Sequence, residues 1–172
     1  DMDYVYGTLC RKDGENPLDY PALRDNPMEL YVVATNAETG EAKYFDKSDI
    51  RQDDYKIMGA SCTIPFVCRP YSVGDCAYFD GALSDPVPIK KAFELGCDKA
   101  VLILTKPRDT IRGSKKDDCI ASMIKRKYPK AAAQMRLRAQ RYGVDTLKRD
   151  KQCMDRLYLK GYDDAQEIFK FL

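Results

Sequence analysis

The sequence predicts an α/β fold, a mostly parallel sheet flanked by helices, and three observations carry that prediction. Residues 29–35 (ELYVVAT) and 99–105 (KAVLILT) are apolar, β-rich runs of the kind found in strands covered on both faces. The aromatic run Cys76-Ala77-Tyr78-Phe79 stops at Asp80-Gly81, and a helix-patterned stretch at 87–95, closed by Gly96, separates it from the run at 99–105. Strand, helix and strand then form a βαβ unit with a right-handed crossover, which requires parallel strands. Finally, residues 114–172 are mainly helical by composition and apolar spacing.

Taken in order, residues 1–14 open on Tyr4-Val5-Tyr6 and become polar, as a connecting segment does. Asp19 stands just ahead of Pro21, which suits the first turn of a short helix from Pro21 to about Asp25, ended by Pro27. The run at 29–35, a turn from Asn36 to Gly40 and the return Lys43-Tyr44-Phe45 make a hairpin. Ser48 is a candidate N-cap for a helix through Tyr55, Ile57 and Met58. Gly59-Ala60-Ser61-Cys62-Thr63 has the outline of a nucleophile elbow but lacks the second glycine, and no apolar strand runs into it. An elbow needs strand, sharp turn and helix in that order, so Ser61 is excluded as the nucleophile. Pro65 and Pro70 bracket a loop, and Ser84-Asp85-Pro86 provides a capping pair for the helix at 87–95. Ile120, Met123, Ile124 and Tyr128 keep one helical stripe until Pro129 breaks it; helical composition resumes over 131–142 and again from Met154, with Gly161 as a break.

With 172 residues, 44% hydrophobic and 33% charged, the chain is of single-domain size. No stretch approaches the roughly 18 apolar residues of a membrane span, so a soluble, cytoplasmic protein is expected. Seven cysteines, odd in number and never spaced as CxxC, fit reduced thiols better than a disulfide framework or a zinc knuckle. Histidine is absent, so no Ser-His-Asp triad, Cys-His pair or His-ligated metal can form from these residues. Acid–base chemistry falls to carboxylates, Lys, Tyr or Cys, and neither a cofactor nor a metal is predicted.

The net charge of +2 hides an asymmetry: residues 106–151 hold 15 Lys/Arg against 5 Asp, and the rest of the chain 14 against 22 acidic residues. Two readings of this basic block stand, a solvated helical face or a surface that meets anionic membrane headgroups, which would place the protein peripherally at a membrane. Nucleic acid is not expected as a partner, because aromatic residues are not interleaved with the basic ones as stacking platforms require.

Asp80 stands where a strand passes into a turn, as a catalytic carboxylate or as a cap of that turn. From Gly59 to Pro107 the chain reads GASCTIPFVCRPYSVGDCAYFDGALSDPVPIKKAFELGCDKAVLILTKP. This resembles the second half of bacterial patatin-like phospholipases, and ATNAETGEAKYF upstream and GVDTLKRDKQCMDRLYLKGYDDAQ downstream are similar to the same family. The resemblance implies a Ser-Asp dyad that works without histidine, and Asp80-Gly81-Ala82 matches the family's D-G-[GA] motif residue by residue. It makes Asp80 the base, with Gly81 and Ala82 as the turn that supports it, in a serine acyl-ester hydrolase acting on a lipid or other acyl ester. The family's Gly-rich oxyanion loop and G-x-S-x-G elbow have no match in residues 1–172. The chain is therefore expected to be the C-terminal part of a single patatin-like domain, incomplete at its N-terminus and inactive alone. The alternative is a non-catalytic domain that keeps the fold and binds lipid or protein. Relatives carry a further helical stretch and an edge strand where Tyr142 here meets Gly143, which predicts residues omitted at that join. Phe66, Tyr71, Tyr78 and Phe79 are candidates for core or for acyl contacts, and the sequence is silent on oligomeric state.

Overall fold

A computed structural model of the protein describes residues 1–65, 67–101, 125–131 and 166. At its centre lies a four-stranded sheet of β1 (Tyr31–Asn36), β2 (Ala42–Asp46), β3 (Tyr71–Val73) and β4 (Cys76–Asp80), in the order β2-β1-β4-β3. Around it stand four short helices: α1 (Met2–Tyr4), continued as a π-helical turn through Leu9, α2 (Tyr20–Asp25), α3 (Lys56–Ser61) and α4 (Ile89–Glu94).

The sheet is antiparallel at every pairing, which corrects the expected mostly parallel arrangement. The hairpin of β1 and β2 forms as the sequence predicts, with Val32 opposite Phe45 and Thr35 opposite Ala42. Asn36 closes its turn by accepting the Glu38 and Thr39 N–H groups at 2.9 Å each, and Gly40 has φ +74°. The difference arises at β4, which runs antiparallel to β1, with Asp80 opposite Ala34. It is also joined to β3 by the two-residue turn Gly74-Asp75, with Val73 opposite Cys76. Gly74 has φ +58°, which suits the first central position of a type II′ hairpin turn. An apolar run does not declare its direction, whereas a two-residue connection can join only antiparallel strands. Of the run at 99–105, residues 99–101 are not strand and the remainder lies outside the described residues. So do the helical stretches predicted over 114–124, over 131–142 beyond Ala131 and from Met154 apart from residue 166, and the join at Tyr142; around the break expected at Pro129, residues 125–128 are not helical and 129–131 are.

Both faces of the sheet are covered, because successive residues of a strand point to opposite sides. Tyr78 packs into a cluster with Ala34, Phe45, Ile50, Tyr55, Ile57 and Ala60, and its ring meets Phe45 edge-on at 5.3 Å. Phe79, its neighbour, joins Ala37, Leu83 and Ala131 on the other side and meets Tyr128 edge-on, also at 5.3 Å. Both aromatics are core residues, each contributing roughly 1.5–3 kcal/mol through burial. Tyr71 packs against the first cluster and donates its hydroxyl to Asp3 at 2.6 Å, and Phe66 lies outside the described residues.

Six residues are too few for a helix to persist in isolation, so the helices depend on caps and packing. Asp19 accepts the Ala22 N–H at 3.0 Å and starts α2 with Pro21 in its first turn. α3 buries Ile57 and Ala60 in the core. It starts at Lys56 and not at Ser48, because Asp46 and Asp49 form a capping box around the separate 3-10 turn Lys47–Asp49. α4 begins after Pro88 without a side-chain cap, so Ser84 and Asp85 do not cap it. No helix among the described residues is long and apolar enough to cross a membrane.

Candidate functional site

β4 ends at Asp80, and the next residue passes close against β1. A Cβ atom on Gly81 would lie 2.1 Å from the Val33 carbonyl oxygen and 2.5 Å from its carbon, so only glycine lets the chain pass this close to β1. Residues 81–83 then wind into a 3-10 turn whose N-cap is Asp80. Asp80 Oδ1 accepts the Ala82 N–H at 2.7 Å, satisfying a donor that the start of a helical turn leaves without a backbone partner.

The Asp80 backbone is tied at both ends. Its N–H donates to the Thr63 carbonyl at 2.8 Å, and its carbonyl accepts the Thr35 hydroxyl at 2.8 Å. Thr35 is fully buried; its Oγ1 also lies 2.8 Å from Ser84 Oγ and accepts the Ser84 N–H at 3.2 Å. One hydroxyl thus links β1, the end of β4 and the far end of the turn. Thr63, also fully buried, is held in turn by its own hydroxyl, which donates to the Gly59 carbonyl of α3 at 2.7 Å.

Beside this turn opens a cleft of about 390 Å³, lined by Tyr31, Val32 and Val33 of β1, Ser61, Asp80 to Ala82, Asp85, Pro86 and Pro88. That volume falls within the roughly 300–1,000 Å³ range of small-molecule sites. The cleft forms because β4 is paired with β1 only from Ala34 onward, leaving residues 31–33 beside it. Asp80, Gly81 and Ala82 all line it, with Asp80 half-buried.

Sequence reasoning missed two features of this cleft. Ser61 lines it together with Asp80, although as the last residue of α3 it stands at a helix end and not on a strand-to-helix turn. Tyr44 of β2 donates its hydroxyl to Asp85 Oδ2 at 2.5 Å, and burial, then this carboxylate, pushes the phenol up to about 12. A lone hydroxyl at the end of the apolar run, Thr35, was the visible sign of a polar knot beneath the turn. No residue pattern signalled Tyr44, because its partner lies 41 positions away. Among the described residues there is no group of acidic, Cys or His side chains able to hold a metal ion.

A family model described as Patatin-like phospholipase matches residues 7–93, just over half of the chain, and includes β1 to β4 and the D-G-A turn. No solved structure matches the chain.

Proposed function

The chain belongs to the patatin-like phospholipase family, a family of lipid acyl hydrolases, and from that premise we propose that it serves a serine acyl-ester hydrolase in which Asp80 is the general base. The observation that carries this reading is the immobilised carboxylate: Asp80 is tied through its N–H, its carbonyl and Oδ1, and it faces a cleft of ligand size. A base must be held within about 2.6–3.2 Å of the oxygen whose proton it takes, and a residue fixed at three points meets that demand without reorganising.

In the proposed reaction a serine hydroxyl attacks the ester carbonyl while Asp80 accepts its proton. The tetrahedral intermediate collapses, the proton passes to the departing alcohol oxygen, and an acyl-serine remains. Asp80 then deprotonates a water that attacks the acyl-serine, and returns that proton to the serine oxygen as the acid leaves. The absence of histidine from all 172 residues supports a carboxylate in this role. The same residues contain no G-x-S-x-G, so the nucleophile and the oxyanion donors come from a segment outside them, and residues 1–172 are the C-terminal part of the catalytic domain. The substrate is a lipid or another acyl ester.

The test compares the product of the complete gene with residues 1–172 alone, using a fluorophosphonate probe and a chromogenic acyl ester. The complete protein labels and turns over; the 172-residue chain does neither. In the complete protein Asp80→Asn lowers kcat by about 10²–10⁴-fold, the range for losing a positioned base. Its thermal midpoint barely moves, since Asn caps a turn about as well as Asp. Ser61→Ala leaves probe labelling intact. Labelling lost in Ser61→Ala would make Ser61 the nucleophile, full turnover by Asp80→Asn would make another group the base, and a complete protein that neither labels nor turns over would favour a non-catalytic binding domain.

A further inference from the structure

Residues 1–10 are held against α3 and β3 through tyrosine hydroxyls and not through a sheet. Tyr71 of β3 donates to Asp3 Oδ1 at 2.6 Å, and the Tyr6 hydroxyl lies 3.2 Å from the Cys62 sulfur. Cys62 is the C-cap of α3 and is exposed. Cys10 closes the π-helical turn Val5–Leu9, its N–H donating to the Val5 carbonyl at 3.1 Å. It stands four positions after Tyr6, a spacing that puts the two residues on one helical face. Both pack against the cluster that holds Ile57 and Ala60 of α3. Burial, then Cys62 and then Cys10, hold the Tyr6 phenol well above its ordinary value, which agrees with both thiols lying near that hydroxyl. Two cysteines 52 positions apart in the chain thus converge on one tyrosine.

We propose that Cys10 and Cys62 are a thiol pair oxidised by peroxide, a redox latch that fastens residues 1–10 to the end of α3. The exposed Cys62 reacts first, since access to the sulfur governs its oxidation. Its sulfur takes one peroxide oxygen, the O–O bond breaks, and a sulfenic acid and one water result. The Cys10 sulfur then attacks that of Cys62: the S–O bond breaks, a second water leaves with the Cys10 proton, and the disulfide forms. Two electrons pass from the thiols to the peroxide, and a dithiol reductant returns them. A disulfide asks for Cα atoms about 4.4–6.8 Å apart, and residues 1–10, fixed by side chains, can make that approach while the sheet stays still. The consequence reaches the cleft, because Cys62 lies between Ser61, which lines it, and Thr63, whose carbonyl accepts the Asp80 N–H at 2.8 Å. The latch stands whether or not the protein hydrolyses esters.

The experiment treats the complete protein with hydrogen peroxide, blocks the remaining thiols, and maps linked peptides by mass spectrometry before and after dithiothreitol. A peptide pair joined at Cys10 and Cys62 forms on oxidation and disappears on reduction. In Cys10→Ser that pair is absent and dimedone traps a sulfenic acid at Cys62; in Cys62→Ser neither product forms. Hydrogen exchange reads the effect on the cleft: the Asp80 amide, whose acceptor is the neighbour of Cys62, exchanges more slowly in the linked protein and recovers its rate on reduction, as expected when a crosslink suppresses local opening. Failure of the Cys10–Cys62 pair to form, or pairing of Cys62 with a different cysteine, overturns the proposal. An unchanged Asp80 amide in the linked protein overturns the connection to the cleft. The linked peptides are read in the unmodified protein, so the matter is decided even if a cysteine variant does not fold.

Discussion

Replacing Gly81 by alanine perturbs the site in a way whose size follows from three distances. The added Cβ would sit 2.1 Å from the Val33 carbonyl oxygen, 2.5 Å from the carbonyl carbon and 2.8 Å from the Val33 Cβ. Two of these neighbours are backbone atoms of β1, a strand with partners on both sides, so no side-chain rotation can relieve the overlap. Either β1 shifts and disturbs its ladder with β2, or the turn at 81–83 swings out and breaks the Thr35 bond to the Asp80 carbonyl. Overpacking a tight site typically costs about 1–3 kcal/mol, and a clash with a central strand belongs at the upper end. For a chain of 150–250 residues each kcal/mol moves the thermal midpoint by roughly 2–4 °C, so Gly81→Ala should lower it by roughly 6–12 °C. Gly7→Ala is the control, since a Cβ there meets nothing within 4 Å. Differential scanning calorimetry of the three proteins reads the outcome. A midpoint for Gly81→Ala within a degree or two of the unmodified chain would mean that the turn does not press on β1, and the account of how Asp80 is positioned would fail.

Thr35→Val keeps shape but removes the hydroxyl shared by Asp80 and Ser84, leaving polar groups in a largely buried place without it; each orphaned group costs about 1–3 kcal/mol, and urea unfolding should show a loss in that range. In the complete protein the same variant should lower kcat more than it raises KM, since it loosens the proposed base and not the binding surface; a change in KM alone would contradict that. Tyr44 provides a pH test. Its phenol is pushed up to about 12 in the folded chain from an ordinary value of 10, so the folded state binds the proton more strongly. The resulting stability is fully present below pH 10 and is lost as pH rises toward 12. Comparing stability against pH for the unmodified chain and Tyr44→Phe should show a steeper alkaline decline in the former, and parallel curves would remove the Tyr44–Asp85 bond from the account.

How much was legible in the sequence depended on how far apart the interacting residues lie. The hairpin of β1 and β2, the cap at Asp19, and Asp80 at the end of a strand are set by neighbours within a few positions, and the residues announce them. Strand direction is not legible from the apolar runs: the parallel expectation rests on pairing the run at 76–79 with that at 99–105, whereas β4 pairs antiparallel with β1, some 45 residues away, and apolar runs carry no arrow. The sign of the antiparallel arrangement was local after all: Gly74-Asp75 is a turn pair, hidden because Tyr71–Val73 is only three residues long and holds a serine at its centre.

The site itself shows why a motif can be read before its mechanism. Asp-Gly-Ala is recognisable because each position is constrained from a different direction. The acid caps a turn, the glycine passes a carbonyl at a distance that no side chain permits, and the third residue sends its N–H back to the acid. What holds those three in register is a threonine on another strand and a carbonyl at the end of another helix, Thr35 and Thr63. These supports have no motif of their own, because any residue with one hydroxyl or one carbonyl at the right place could supply the same bond. The carboxylate's geometry is therefore written in the local sequence, whereas its rigidity is a property of the assembled sheet. It follows that substitutions at Thr35 should weaken the site without altering any residue by which the site is recognised.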